Sequence, residues 1–181
     1  MTISASLLTR IRDTACQRGA FQLPTGRMLD EYFDEYLLAA DPALLYEVAA
    51  EIAHSVPIEI ETLVGLDLGG IPLAVALSAA TGVPAGFLRR ERKTYGTCRQ
   101  LEGKPVAGKR IAIVDDVVRS GSQVLRAASF LRQEGATVTT AVCVLDRELD
   151  GRARLANDQI ALCSLLTPAD LDTPSSIRQA S

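Results

Sequence analysis

From residue 62 onward the chain carries short, predominantly apolar segments, at 62–66, 85–88, 111–114, 138–145 and 160–165, each bounded by glycine, proline or charge. A strand apolar on both faces has to be covered on both faces, which is the situation inside a parallel sheet. Stretches with helical spacing alternate with these segments, at 71–80 and at 124–133, the latter closed by Gly135. Two more helical patterns come first, over 4–18 (Leu7, Leu8, Ile11, Ala15) and 42–55 (Leu44, Leu45, Val48, Ala49, Ile52). The alternation predicts βαβ units and an α/β fold, a parallel β-sheet flanked by helices. A chain of 181 residues, 48% hydrophobic, suffices for one sizeable core. With aromatics at 4%, that core must rest on Leu, Val, Ile and Ala. The expected organisation is one domain, 1–181. A hood segment of helix and extended chain spans 1–40, the α/β core spans 41–166, and the tail beyond reads as frayed surface.

Several function classes are disfavoured at this level. A net charge of −3 gives no electrostatic reason to expect nucleic acid as a partner. No apolar run is long enough for a membrane span, and the first 20 residues lack a secretory apolar stretch, so a cytoplasmic location is expected. Cys16, Cys98, Cys143 and Cys163 lie far apart with no CxxC pair, the pattern of reduced thiols and not of a disulfide framework or a zinc site. The only histidine, His54, falls at an expected helix end, where capping or surface exposure is its ordinary role. Nucleophilic catalysis through a histidine is therefore not expected.

The chemistry concentrates in "IAIVDDVVRSGSQ", residues 111–123. An apolar strand runs into Asp115 and Asp116, and buried carboxylates demand a partner. In open α/β sheets ligands bind beyond the carboxyl ends of the strands, where this pair is expected. Ser120, Gly121 and Ser122 then open the next helix, whose free N–H groups and dipole favour a phosphate. The run is no Walker loop, because GxxxxGK[ST] is absent. Taken without its flanks, "VDD" is an acidic strand end followed by a serine cap. A second cluster lies nearby: eight of the 19 basic residues fall between Arg89 and Arg110. Such a run is ordinarily a solvated face, but here it flanks Tyr95, Gly96 and Gly103 and reads as a mobile loop between strands. Mobile cationic loops close over phosphates, exclude water and stabilise leaving-group charge. Arg147 follows strand 138–145 on the same sheet edge, as a carboxylate fork or as a surface partner of Glu148.

The 111–123 run closely resembles the phosphoribosyl pyrophosphate signature of type I phosphoribosyltransferases. The resemblance implies that Asp115 and Asp116 accept hydrogen bonds from the ribose hydroxyls. It implies that Val117 and Val118 also belong to the phosphoribosyl pyrophosphate site, and that Arg119, Ser120, Gly121, Ser122 and Gln123 form a cradle for its 5′-phosphate. Arg119 stands where the family has threonine or another small residue. "GAFQLPTGRMLDEYFDEY", "GLDLGGIPLA", "LRRERKTYGT" and "VLDRELDG" resemble successive motifs of the orotate branch of that family, over roughly residues 19–150. By that resemblance Gly69 and Gly70 approach the pyrophosphate. Arg89, Arg90, Lys93 and Tyr95 belong to a loop that closes over the site from the neighbouring subunit of a homodimer.

Thr25, Gly26, Tyr32, Phe33, Ser120 and Arg147 are implied to meet orotate, Arg147 through its carboxylate. Lys93, Asp115 and Asp116 are implied to be catalytic, with Mg²⁺ as cofactor and no dedicated protein ligands for the metal. Tyr95 stands where some members have histidine, Arg90 replaces a lysine, Pro24 a lysine and Leu29 a serine. The implied reaction is transfer of phosphoribosyl from phosphoribosyl pyrophosphate to orotate, giving orotidine 5′-phosphate and pyrophosphate in UMP biosynthesis. The alternatives are transfer to a purine or other base, and a non-catalytic regulator that binds phosphoribosyl pyrophosphate.

Overall fold

Local signals start the elements where they start. Ser4 caps helix α1 (Ala5–Ala15), its hydroxyl accepting from the Leu7 N–H. Asp41 caps α3 (Pro42–Ala53), accepting from the N–H groups of Ala43 and Leu44, with proline at the first helical position. Between them lie an antiparallel hairpin, β1 (Cys16–Gln22) with β2 (Met28–Phe33), and a short helix α2 (Glu35–Ala40) capped by Asp34. The chain then alternates: β3 (Thr62–Leu66), α4 (Gly70–Thr81), β4 (Ala85–Leu88), β5 (Leu101–Gly103), β6 (Arg110–Val118), α5 (Ser122–Gln133) and β7 (Thr137–Asp146). It ends in α6 (Gly151–Asn157), β8 (Ala161–Leu166) and α7 (Pro168–Asp172). The computed structural model describes residues 3–22, 26 and 28–172.

The main sheet has the order β5-β4-β3-β6-β7-β8, parallel except for the antiparallel edge strand β5. Side chains alternate across it with the period of two that strands impose. Leu63, Ala112, Val114, Val142 and Val144 enter one core with α1, α3 and α4. Val64, Ile111, Ile113, Ala141 and Cys143 enter the other with α5 and Leu155 of α6. Both faces are thus covered, as the apolar runs predict.

Differences from the sequence reading have local causes. The helix expected over 4–18 stops at Ala15, the last position of its Leu7–Ile11–Ala15 buried stripe. Cys16 then pairs with Phe33, and the expected extended segment is a hairpin. The strand expected at 111–114 runs on to Val118, so Asp115 and Asp116 lie inside it and not past its end. β3 accompanies β6 only as far as Val114, but the longer β7 keeps pairing through Val118. The short elements α2, β5, α6 and α7 carry too few residues for periodicity to reveal them. The tail is anchored at its start: Asp170 accepts from the Thr167 N–H and hydroxyl, and Arg12 of α1 donates to the Asp170 carbonyl. His54 is the exposed C-cap of α3. Among the described residues no helix is long and apolar enough to cross a membrane.

Candidate active site

After β3 the chain crosses to β4 on one side, and β6 returns to the other side of β3. The β3/β6 boundary is therefore the switch point of the sheet, where α/β folds open a crevice. A cavity of about 320 Å³ lies there. Asp67, Leu68 and Gly69 line it from the end of β3, and the run from Asp115 through Val124 lines it from β6 and the turn into α5. Arg90, Arg126, Glu35 and Tyr36 close its sides. Two helices begin at this cavity, α4 after Gly69 and α5 after Gly121, and neither has a side-chain cap. Apart from the Ile71 N–H, which donates to the Leu68 carbonyl at 3.2 Å, the N–H groups of these first turns are available to an anion.

The glycines are required by space and by torsion. A Cβ on Gly69 would lie 1.6 Å from Asp116 Oδ2, and one on Gly70 would lie 2.3 Å from the Val114 carbonyl oxygen. Gly121 has φ +70°, and a Cβ there would meet the Gly151 carbonyl oxygen at 3.1 Å. Arg154 of α6 holds the same turn, donating to the Ser120 carbonyl at 2.7 Å and the Ser122 hydroxyl at 3.0 Å.

Asp115 is 4% exposed, and its Oδ1 accepts from the Asp116 N–H at 3.2 Å. Asp116 Oδ1 accepts from the Val117 N–H at 2.8 Å. Among the described residues neither carboxylate has a cationic partner. Burial first, and then the charge of Asp116, raise the Asp115 carboxyl well above its ordinary range. For an acid raised in the folded state, the native form holds the proton more tightly than the unfolded chain. Its contribution is fully present below the unfolded pKa and is lost as pH rises through the folded value. Asp115→Asn is therefore expected to raise the melting temperature of the ligand-free protein at pH 8, by about 2–4 °C for about 1 kcal/mol, with a smaller gain near pH 4. Thermal unfolding at the two pH values checks this; an unchanged or lower melting temperature at pH 8 would mean the carboxylate is no liability.

The other end of the cavity meets the hood. Val118 pairs with Asp146, and the Arg147 N–H donates to the Val118 carbonyl at 2.8 Å. The fully buried Asp146 fixes this turn, accepting from the Glu148 N–H at 2.9 Å and from Arg152 Nε at 3.1 Å. Among the described residues Arg147 makes no ion pair, with Glu148 or otherwise, and its buried Nε has no acceptor. Burial, followed by the charge of Arg119, lowers its pKa.

Tyr32 is half-buried, stacked at a tilt 5.5 Å from Phe21, and senses Glu35, Arg119 and Arg147. Phe33, by contrast, is 2% exposed and sits in the core, beside a small cavity bordered by Glu35, Gly69 and Asp116. Its ring supports the wall of the site from behind; burial on β2 explains why it does not face the main cavity. Gly26 is exposed, with φ +82°. Thr25 and Pro24 lie outside the described residues, as does the Leu29 side chain.

The cationic segment leaves β4 and returns through β5. The Arg89 N–H donates to the Gln100 carbonyl at 3.0 Å and the Lys93 N–H to the Arg99 carbonyl at 3.3 Å. Lys93 pairs with Glu102, and Arg89 Nε lies 3.6 Å from the same carboxylate. The loop expected between strands is thus tied to its own chain at its base, and its tip stands out, with Tyr95 72% exposed. Arg90 reaches the main cavity, Arg89 lines an adjoining one with Gln123, and Lys93 and Tyr95 line neither.

Sequence reasoning missed Glu35, Arg126 and Arg154. Arg126 follows Ser122 by four residues on α5, a spacing that could have signalled it. Glu35 Oε2 is buried without a partner; burial raises its pKa, and Asp116 and Asp34 add to the effect.

Residues 38–166 match the phosphoribosyl transferase domain family. The orotate phosphoribosyltransferase of Nocardioides sp. is 42% identical over 173 residues, spanning 95% of this chain and 96% of its own. The crystal structure of orotate phosphoribosyltransferase from Aeropyrum pernix superposes with a TM-score of 0.78 at 32% identity, covering 91% of this chain and 95% of that one. UMP synthase of Leishmania donovani gives 0.82 at 28% identity, covering 94% of this chain and 37% of that longer one. The chain belongs to the phosphoribosyl transferase family, and its fold is the type I fold of that family.

Proposed function

We infer that the protein is an orotate phosphoribosyltransferase. It transfers the 5-phosphoribosyl group of phosphoribosyl pyrophosphate to orotate, yielding orotidine 5′-phosphate and pyrophosphate on the de novo route to UMP. The observation that carries this reading is the Asp115–Asp116 pair, uncompensated among the described residues, in a cavity faced by two uncapped helix N-termini. The 42% identity to an enzyme of that name supports it.

In the reaction the bond from the anomeric carbon to pyrophosphate breaks, and its electron pair leaves with pyrophosphate. A ring nitrogen of orotate supplies the pair for the new bond. The proton on that nitrogen is released as the new bond forms and passes to the departing pyrophosphate or to water; no side chain of the described site is assigned to take it. The work left to the protein is positioning and electrostatics. Asp115 and Asp116 bind the ribose hydroxyls and oppose the positive charge growing on the sugar. The turn Ser120–Gly121–Ser122 holds the 5′-phosphate, Gly69 and Gly70 admit the pyrophosphate, and Arg89, Arg90 and Lys93 balance its charge. Arg147 holds the orotate carboxylate.

Mg²⁺ suits this donor set. Among the described residues no group of three or more His, Cys, Asp or Glu side chains could hold a metal ion. Substrate phosphates, hydroxyls and water would supply most of its shell, with Asp115 and Asp116 as the protein oxygens available. When bound it neutralises pyrophosphate charge. The working unit is a homodimer whose loops close over each other's cavities. The chain acts as one domain, with 1–40 as a hood over the 41–166 core, in the cytoplasm, on small molecules and without nucleic acid or membrane.

An activity panel of orotate, uracil, adenine and hypoxanthine with phosphoribosyl pyrophosphate and Mg²⁺ tests the reading; turnover of a purine in preference to orotate would overturn it. In the same assay Arg147→Ala is expected to raise the orotate KM by the equivalent of about 2–3 kcal/mol. The phosphoribosyl pyrophosphate KM should stay nearly unchanged. Equal losses for both substrates would assign Arg147 a folding role instead.

A further inference from the structure

Helix α6 meets the phosphate turn with one face. Gly151, Arg154 and Leu155 are spaced i, i+3 and i+4, so they share a side of the helix. All three approach the turn from Arg119 to Ser122. A Cβ on Gly151 would lie 2.4 Å from the Arg119 carbonyl oxygen and 3.1 Å from the Gly121 nitrogen. A Cβ on Gly121 would lie 3.2 Å from Cγ of the fully buried Leu155. Arg154 makes the polar contacts, its Nη1 donating to both the Ser120 carbonyl and the Ser122 hydroxyl. The helix is in turn tied to the sheet by Arg152, which donates to Asp146 of β7 and to the Leu162 carbonyl and Ser164 hydroxyl of β8.

We propose that α6 is a brace for the 5′-phosphate turn and that Arg154 is the positioning residue within it, setting affinity for the phosphoribosyl substrate from outside the cavity. The inference rests on the reading of that turn as the 5′-phosphate site. Arg154 stands apart from the residues that line the cavity, so it acts through the turn. The turn is not a default shape of the chain: Gly121 is at φ +70°, and α5 begins after it without a side-chain cap. Holding such a turn in shape before the anion arrives removes an ordering cost from binding. The Ser120 carbonyl and the Gly121 N–H belong to one planar peptide and point opposite ways. Bonding the carbonyl to Arg154 therefore turns that N–H away from Arg154. The serines are polarised as well. Ser122 Oγ accepts from a guanidinium, which leaves its own proton to donate and strengthens that donation. The Ser120 hydroxyl lies 3.0 Å from it, so the two hydroxyls form one polarised pair. Among the described residues Arg154 has no carboxylate partner, and its positive charge stands uncompensated behind the turn.

The test measures the Kd for ribose 5-phosphate by calorimetry and the KM of both substrates, on Arg154→Ala and Arg154→Lys. Arg154 is exposed, and melting temperatures serve as the folding control. Arg154→Ala is expected to raise the ribose 5-phosphate Kd and the phosphoribosyl pyrophosphate KM by about fivefold, with the orotate KM nearly unchanged. Lysine keeps the charge without the guanidinium fork and should recover part of the loss. Ser122→Ala removes one of the two acceptors, so its effect combined with Arg154→Ala should be less than additive. A ribose 5-phosphate Kd that does not move would overturn the proposal, as would equal losses for both substrates or full additivity with Ser122→Ala. Should Arg154→Ala fail to fold, Arg154→Lys carries the same comparison, and an unchanged ribose 5-phosphate Kd there overturns the proposal. Wild-type protein that binds ribose 5-phosphate with this dependence on Arg154 but does not use orotate would support the brace and overturn only the reading of the base.

Discussion

Gly69→Ala is expected to lower kcat/KM by at least about a hundredfold, roughly 2.7 kcal/mol of transition-state stabilisation, in a protein that still folds. Gly69 has φ −67° and ψ −30°, torsions that alanine adopts freely, so no backbone strain is introduced. The conflict is with Asp116, whose Oδ2 lies 1.6 Å and whose Cγ lies 2.4 Å from the position of the new methyl. Asp116 Oδ1 is held by the Val117 N–H, so the carboxylate must give up that bond or the turn must back away from it. Either movement separates the acid from the turn proposed to admit pyrophosphate. Steady-state kinetics with circular dichroism and thermal melts would distinguish this from misfolding. Activity within about threefold of wild type would mean that Asp116 does not work from the position it holds beside Gly69.

The fold was legible because burial on both faces forces a strand to be apolar throughout. The runs at 62–66 and 85–88 coincide with β3 and β4, and that at 138–145 falls one residue short at each end of β7. The same signal failed at Asp115 and Asp116, because β6 continues on the support of one neighbour where the apolar pattern has already ended. Chemistry and not hydrophobicity dictates those positions, and periodicity is blind to it. The hood shows the opposite limit. Its β1–β2 hairpin is mostly exposed on β1 and pairs through an irregular register, so alternation never emerges from the sequence.

Within the site, motif spacing was enough to single out groups contributed by one segment, such as the turn from Asp115 to Gln123. It could not reveal groups brought in from elsewhere. Arg154 reaches Ser120 across a separation of 34 residues, and Glu35 arrives on a helix of six residues whose cap, Asp34, is the only local sign of it. Arg119 was visible as an oddity, but the groups that feel its charge, Arg147 and the stretch from Tyr32 to Glu35, come from two other places in the chain.

Lys93→Ala is expected to lower kcat by about 10²–10³, the scale of losing one preorganised charge donor, with smaller effects on substrate binding. Lys93 is paired with Glu102 of its own chain, so it must leave that carboxylate to reach a departing pyrophosphate. Both side chains are partly exposed, and such pairs contribute little to stability, so release meets only a small barrier. Arg89 stays 3.6 Å from Glu102 and leaves it a cation when Lys93 goes. If the loop then closes over the partner's cavity, Lys93→Ala and Asp116→Asn damage different sites of one dimer. Asp116→Asn should be nearly inactive through its own cavity. Mixing the two inactive proteins under subunit exchange makes about half of the dimers mixed, each with one doubly damaged and one intact site. About a quarter of wild-type activity should therefore return. Native mass spectrometry would establish that exchange has occurred. Mixed dimers without recovered activity would show that the loop serves its own chain, with Lys93 swinging from Glu102 into the cavity beside it.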